Sequence, residues 1–264
     1  MSLSETIVTY AADVGKPKNL GWARRSTDTK TVGEGLNSLA EAMASDASHG
    51  LSIAIGFESP LFLPLAQQPE ELLTSRGPKK EGRRPWSAGA GPAATVSGIV
   101  AMTWIFRRFR ELVKSAPTVY VDWNAFVKAE VEYRVFVWEA FVSERQQDPI
   151  DVLGEPARDD AKWAVKEGYH LIFDKADALT AVNDFVDRLG QPTDFGTGPN
   201  AAAMSLVHSV VSRLGWSTDH VPAHLEILVR KAHKPNWDCV PELLKSAGMQ
   251  MPVSLEECFT LKKK

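Results

Sequence analysis

Four carboxylates stand at distinctive places in this 264-residue chain. Asp13 ends the first apolar run, TIVTYAAD, and Glu58 follows the second, LSIAIGFE. Glu139 interrupts a third apolar run, VFVWEAFV, and Asp177 lies in a stretch of helical periodicity, KADALTAVNDFV. An ionised group at the end of a core strand costs free energy unless something pairs with it. Because Mg²⁺ and Mn²⁺ prefer oxygen ligands, the four acids predict a divalent-cation site.

Three of these acids also have an explanation that needs no metal. Asp13 can accept backbone N–H groups in the turn that follows it, and Glu58 can cap the turn before the next proline. Glu139, in a strongly apolar segment, can pair with Arg134 or with another arginine.

Asp177 has the strongest competing explanation. It shares a helical stretch with Asp174 and Asp184, as acids on a solvated helix face commonly do. Asp122, in the strand-like segment VYVDW, competes for any of the four places in the site.

The composition excludes several classes of protein. The chain is 44% hydrophobic and 24% charged with a net charge of −3, so no overall basic field indicates nucleic-acid binding. Its two cysteines form neither a disulfide framework nor a zinc pattern, which favours a reducing compartment. The N-terminus lacks the pattern of a signal peptide, and no apolar run reaches membrane-spanning length. We therefore expect a cytoplasmic protein with no membrane contact, while the oligomeric state stays open.

The apolar periodicity predicts strands and helices in an alternating, α/β order. The predicted strands are 6–13, 20–26, 51–57, 118–123 and 134–142, and the predicted helices are about 33–47, 95–114, 157–168 and 174–189. From about residue 198, the proline and glycine spacing indicates two or three further helices. We divide the chain into an α/β domain over 1–192 and a helical C-terminal extension over 193–264 packed on it.

The order of these segments resembles the RNase H-like superfamily, and within it the branch of uncharacterised predicted nucleases. The resemblance covers roughly residues 6–189. It rests on a DxG strand with a hairpin, an apolar strand entering an acid-x-Pro step, a strand with an internal Glu, and an Asp-Ala-Leu helix. These are AADVGKPKNLGWARR, IGFESPL, VFVWEAF and KADALTA. The fold implied by the resemblance is an RNase H-like mixed sheet flanked by helices.

The resemblance also implies a role for each acid. Asp13 would bridge two Mg²⁺ or Mn²⁺ ions, Glu58 and Glu139 would each hold one of them, and Asp177 would complete the second site. Two such ions can activate water and clamp the oxygens of a phosphoryl transfer. The implied activity is that of a nuclease or other phosphodiester hydrolase, with these four acids as its catalytic residues.

A basic segment, RGPKKEGRRPW, is the candidate contact for a nucleic acid. Lysines and arginines neutralise backbone phosphates without reading sequence. We expect Lys79, Lys80, Arg83 and Arg84 to bind substrate if the loop is more than a solvated, mobile connection.

Two alternatives to a nuclease stay open on the sequence. An ATP-binding protein of the actin and sugar-kinase kind would also use the strand and hairpin of DVGKPKNLGWA, although such proteins carry two duplicated domains and this chain has no internal repeat. A non-catalytic binding or scaffold protein on the same fold would need none of the acids to hold a metal.

Overall fold

A computed structural model gives the fold of this chain. The described residues are 7–14, 20–27, 29–64, 90–142, 169–188, 203–218, 229–232 and 239–249. The basic segment with Lys79, Lys80, Arg83 and Arg84, the predicted helix 157–168 and the proposed boundary at 192 lie outside them.

Ten strands and six helices follow one another along the described residues. The strands are β1 Ile7–Asp13, β2 Gly21–Arg25, β3 Lys30–Glu34, β4 Ser52–Phe57, β5 Phe62–Pro64, β6 Thr118–Tyr120, β7 Arg134–Val142, β8 Ala203–Ser205, β9 Ser217–Thr218 and β10 Val229–Ala232. The helices are α1 Leu36–Ser48, α2 Ala90–Val113, α3 Trp123–Lys128, α4 Tyr169–Asp187, α5 Leu206–Arg213 and α6 Val240–Ser246. The predicted α/β class is confirmed.

The main sheet is mixed and has eight strands. Seven follow the order β3-β2-β1-β4-β7-β6-β9, and β10 pairs with the second half of β7. The hairpin strands β1, β2 and β3 are antiparallel, whereas β1, β4, β7 and β6 run parallel. Because parallel strands end at the same edge, the residues that follow β1 and β4 are brought side by side.

Side-chain alternation divides the core into two layers. One layer lies between the sheet and helices α1, α2 and α5, and contains Tyr10, Ala12, Phe57 and Val137 from the strands. The other lies under α3 and α4, and contains Ala11, Ala54, Phe136, Trp138 and Ala140 from the same strands. The face on which a strand residue emerges therefore decides which helices it meets.

A buried ion pair fastens α1 to the hairpin. Arg24 on β2 donates from Nε and Nη2 to the two carboxylate oxygens of Asp46 on α1, at 2.7 and 2.8 Å. The Tyr10 hydroxyl on β1 donates to Asp46 Oδ2 at 2.5 Å. Burial and the neighbouring Asp46 carboxylate raise the pKa of Tyr10, so the hydroxyl keeps its proton and stays a donor.

The described residues beyond position 193 are not purely helical, contrary to the predicted helical extension. It supplies α5 and α6, but β9 and β10 belong to the main sheet and β8 pairs with β5 in a second, two-stranded sheet. These strands have two to four residues, too few for a period-two pattern to stand out in the sequence. The strand β3 is longer, with five residues, but its exposure does not alternate along the strand, so it too gives no period-two signal.

Among the described residues, none of the helices has both the length and the apolar character needed to cross a membrane.

Candidate functional site

Asp13 and Glu58 lie at the carboxyl ends of neighbouring parallel strands. Ala12 is paired with Phe57, and the Glu58 amide donates to the Ala12 carbonyl at 2.9 Å, so the register continues by one residue beyond β4. This places the backbones of Asp13 and Glu58 one strand spacing apart, about 4.8 Å. Both side chains are half-buried. The structure thus brings two of the predicted site residues together.

Helix α4 carries two further acids to the same place. Asp13 emerges on the α4 side of the sheet, because Ala11 before it does and Ala12 between them faces α1 and α2. Its side chain forms a hydrogen bond with Asp174 of α4. Asp177, one turn further along α4, lies close enough to interact electrostatically with Asp174. We call Asp13, Asp174 and Asp177 the acid cluster.

Gly21 allows this approach of α4 to the hairpin. Gly21 is the register partner of Asp13 on β2. A Cβ atom at Gly21 would lie 2.7 Å from Asp174 Cβ and 2.8 Å from the Asp174 carbonyl carbon and the Lys175 amide nitrogen. Only a residue without a side chain permits that separation, so Gly21 sets the height of Asp174 above Asp13.

Asp174 holds a proton near neutral pH. Burial is the main cause, and the negative charge of Asp13, the hydrogen bond to it and the charge of Asp177 act in the same direction, raising the pKa of Asp174 from 3.8 to about 8. Two carboxylates in contact cannot both ionise without strong repulsion, so the Asp13–Asp174 pair shares one proton. Such paired acids are typical of functional sites.

One cation offsets part of this repulsion. The positive charge of Lys175 acts to lower the pKa of Asp174, although burial and the neighbouring acids outweigh it. The Lys175 ammonium also donates to Glu34 Oε2 at the end of β3, at 2.7 Å. Lys175 therefore balances charge beside the acid cluster while joining α4 to the far strand of the hairpin.

Glu139 lies on the opposite face of the sheet from Asp13. Trp138 and Ala140 on either side of it face α4, so Glu139 faces the layer of α1 and α2. It is fully buried, and its Oε1 accepts the Leu61 amide at 2.6 Å. With β4 between β1 and β7, the backbones of Asp13 and Glu139 are two strand spacings, about 10 Å, apart. The structure does not bring Glu139 to the acid cluster.

Arg134 and Asp122 have roles that differ from those expected from the sequence. Arg134 does not pair with Glu139: its guanidinium donates to Ser52 Oγ at 2.7 Å and to the carbonyl of Phe126 at 3.0 Å. Asp122 caps the N-terminus of α3, where its side chain accepts the Ala125 amide at 2.9 Å, and this explains its place after β6.

Asp174 is the site residue that sequence reasoning missed. Its spacing from Asp177 and Asp184 predicts a solvated helix face, yet Asp174 is half-buried against Asp13. The spacing of Asp174 and Asp177, three residues apart, is a signal for two acids on one helix face. It cannot show whether that face meets solvent or the end of a strand.

Carboxylate oxygens suit a hard divalent cation, but here Asp13 and Asp174 are hydrogen-bonded to each other. Within the described parts of the chain, no three Asp, Glu, His or Cys side chains already surround a common point as metal ligands do. Asp13 and Asp174 are instead joined by their shared proton, with Asp177 beside them. Loss of that proton leaves three carboxylates at one strand end, with Glu58 one strand away, and carboxylate oxygens are the ligands that Mg²⁺ and Mn²⁺ take.

Comparisons of this chain with protein-family models, with curated protein sequences and with solved structures give no match. The interpretation of the site therefore rests on its own geometry.

Proposed function

We propose that this protein is a divalent-metal-dependent phosphodiester hydrolase whose site is the acid cluster together with Glu58. The observation that carries the proposal is the contact of Asp174 with Asp13 at the carboxyl end of β1, which the close approach of α4 to Gly21 makes possible. Two half-buried acids in contact cost stability, and a site that binds a cation gives a reason to keep both of them. A cation that replaces the shared proton removes this repulsion.

In this proposal Asp13, Asp174 and Asp177 hold a Mg²⁺ or Mn²⁺ ion, and Glu58 contributes from the next strand. The ion supplies a water of lowered pKa and neutralises the charge of the phosphate. Asp174 releases its proton when the ion binds, and Lys175 limits the negative charge that remains. Glu139 is a positioning residue: its bond to the Leu61 amide holds the turn that follows Glu58.

The proposal assigns the chain to the RNase H-like type of fold. It is supported by the hairpin that begins with Asp13, by the parallel pairing of β1 with β4, and by the α4 acids over the end of β1. It departs from the arrangement implied by the resemblance in one respect. Asp174 takes the place beside Asp13 that was expected of Glu139, so one ion fits this site better than a pair.

The test is metal binding by the intact chain. We expect about 1 mM Mn²⁺ to raise the melting temperature of the wild type, since a ligand at 100 times its Kd stabilises by about 2.7 kcal/mol. Asp13→Asn should abolish the shift, whereas Asp187→Asn, an exposed acid near the end of the same helix α4, should keep it. Hydrolysis of bis(p-nitrophenyl) phosphate should follow the same pattern. A wild type that neither binds Mn²⁺ nor hydrolyses the ester would refute the proposal.

A second candidate is a non-catalytic binding protein on the same fold. This alternative is favoured by the hydrogen bond between Asp13 and Asp174, and by the fact that no group of three potential metal ligands exists among the described residues. In that case the Asp13–Asp174 hydrogen bond only fastens α4 to the hairpin. Absence of Mn²⁺ binding at pH 9, where Asp174 is ionised, would select this alternative.

A further inference from the structure

A basic cleft lies at the end of the molecule where α2 and α5 terminate. It has a volume of about 570 Å³, within the range of small-ligand sites. Its charged lining consists of Arg107, Arg110, Glu111 and Lys114 from α2 and the residue after it, and Arg213 from the last turn of α5. We call this the basic cleft.

Positive charge prevails in the basic cleft even after its surroundings are included. The lining of the cleft has four cations and one carboxylate, that of Glu111. Glu111 forms ion pairs with Arg107 at 3.4 Å and with Arg108 at 3.1 Å. The C-terminal ends of α2 and α5 each add roughly half a negative charge. After Glu111 and the two helix ends are subtracted from the four cations, a net charge of about +2 remains in the basic cleft.

Three of the four cations, Arg110, Lys114 and Arg213, have no carboxylate partner in the described part of the chain. No described carboxylate lies within 4 Å of the Lys114 ammonium or of the Arg213 guanidinium, and both side chains are exposed. Arg110 is held differently, by donating a hydrogen bond to the Leu214 carbonyl just after α5. A guanidinium that is held in place can receive an anion together with two cations that line the same cleft and have no acidic partner among the described residues.

The backbone of Lys114 supports a role for its side chain. Lys114 has a positive φ of 56°, the left-handed conformation that ends many helices, and its amide donates to the Arg110 carbonyl at 3.0 Å. Glycine is the residue that adopts this conformation at least cost. A lysine here is strained where a glycine would not be, and the strain is consistent with a function of the ammonium group.

We propose that the basic cleft binds a phosphate-bearing anion through Lys114, Arg110 and Arg213, with Arg107 at its edge. This goes beyond the proposed hydrolysis, because the cleft is remote from the acid cluster. The start of α2 is the end nearer to the proposed metal site. There α2 packs against Ser59, the residue after Glu58, and the Ser59 hydroxyl donates to the Ala94 carbonyl at 2.9 Å. The end of α2 lies 19 residues further on, about 28 Å along the helix. Single phosphates bind such exposed cations weakly, whereas a nucleic-acid strand adds contacts and releases counterions.

The experiment uses the full chain in EDTA, so that the metal site contributes nothing. Fluorescence anisotropy measures binding of a labelled single-stranded oligonucleotide, and inorganic phosphate and AMP are added as competitors. The variant is Lys114→Glu with Arg213→Glu. The control is Lys30→Glu with Lys128→Glu, which makes the same charge change at two exposed lysines outside the cleft. If the glutamate variant fails to fold, Lys114→Gln with Arg213→Gln replaces it.

We expect the cleft variant to raise the oligonucleotide Kd at least about tenfold and the control about twofold or less. Loss of two phosphate contacts should also lower the slope of log K against log salt by about 1.4. Competition by millimolar phosphate or AMP identifies a site for a free phosphate group, and competition only by unlabelled oligonucleotide identifies a strand-binding site. Equal weakening in both double variants, or no binding of any probe by the wild type, would overturn the proposal.

Discussion

The proton shared by Asp13 and Asp174 links the acid cluster to the stability of the protein. Unfolded, Asp174 has its ordinary pKa near 3.8, whereas in the folded protein its pKa is about 8. Between these values the folded state retains a proton that the unfolded state releases, so stability falls as pH rises. The favourable contribution is fully present below about pH 4 and is lost as pH passes 8.

Asp174→Asn should therefore stabilise the protein at high pH. The amide keeps a hydrogen-bond donor for Asp13 and removes the repulsion, so we expect the free energy of unfolding at pH 9 to rise by about 2–4 kcal/mol. Urea denaturation at pH 5 and pH 9 measures this, and the wild-type decline with pH should flatten. Asp187→Asn is the control. A variant that is less stable than the wild type at pH 9 would contradict the assignment of the shared proton.

Glu139 shows that a buried acid can have a structural role away from the acid cluster. Its position in the row Ala12, Phe57, Glu139 turns it away from α4 and toward the turn after Glu58. There its carboxylate satisfies the Leu61 amide, which would otherwise be buried without a partner. A carboxylate is a stronger acceptor than a neutral group, which favours Glu at this place.

At the level of elements, the contact of α4 with the hairpin determines whether the acid cluster exists. Gly21 meets the backbone of Asp174 and Lys175, so any larger residue forces the helix away from the sheet. The contact also joins Lys175 to Glu34 across the hairpin. The geometry of the site is therefore a property of helix packing more than of either carboxylate alone.

Gly21→Ala should weaken both the fold and the site. The added methyl group has no flexible neighbour to displace, so we expect a loss of about 1–3 kcal/mol in the free energy of unfolding. Because Asp174 moves away from Asp13, the Mn²⁺-induced thermal shift should also decrease. Gly50→Ala is the contrast: its φ of 78° makes alanine strained, but nothing lies near the new methyl group. Gly50→Ala should lower stability without reducing the Mn²⁺ shift, and equal Mn²⁺ shifts in both variants would argue against the packing explanation.

The attachment of α1 to the hairpin makes a separate prediction. Asp46→Ala leaves the Arg24 guanidinium and the Tyr10 hydroxyl without their partner in a mostly buried place, so we expect a loss of about 3 kcal/mol. Glu41→Ala, on the same helix, breaks only an exposed pair with Arg108 at 3.9 Å and should change stability by about 0.5 kcal/mol or less. Thermal or urea denaturation separates the two, and similar small losses would show that the ion pair contributes little.

At the level of the whole molecule, the C-terminal region completes the core. Val207, Val210 and Val211 of α5 are buried in the layer of α1 and α2. Trp216 stacks on Phe106 with ring centroids 5.4 Å apart. On the other face, Val240 and Leu244 of α6 pack against Ile172 and Ala176 of α4.

A chain that ends at residue 192 should therefore not form a stable domain. It lacks β9 and β10, exposes the edges of β6 and β7, and leaves Phe106 and Phe109 without Trp216. We expect circular dichroism to show the loss of a cooperative thermal transition, or a melting temperature lower by 10 °C or more, on the order expected when several kcal/mol are removed. A fragment 1–192 as stable as the full chain would restore the division into a domain and a separate extension.

The class of fold and the candidate acids can be predicted from the sequence alone. Apolar runs of six to nine residues predict β1, β4 and β7 because burial on both faces requires continuous hydrophobic character. The acids that interrupt or end such runs stand out because an unpaired charge there is costly. Both signals are local, so they can be read along the chain.

Which acids meet depends on how the strands and helices pack. A shift of one residue moves a side chain to the other face of a sheet, and this separates Glu139 from Asp13 although both belong to core strands that flank β4. The partnership of Asp13 with Asp174 depends on a helix more than 150 positions away and on the absence of a side chain at Gly21. Contacts of that range arise from the packing of whole elements, and no local pattern in the sequence specifies them.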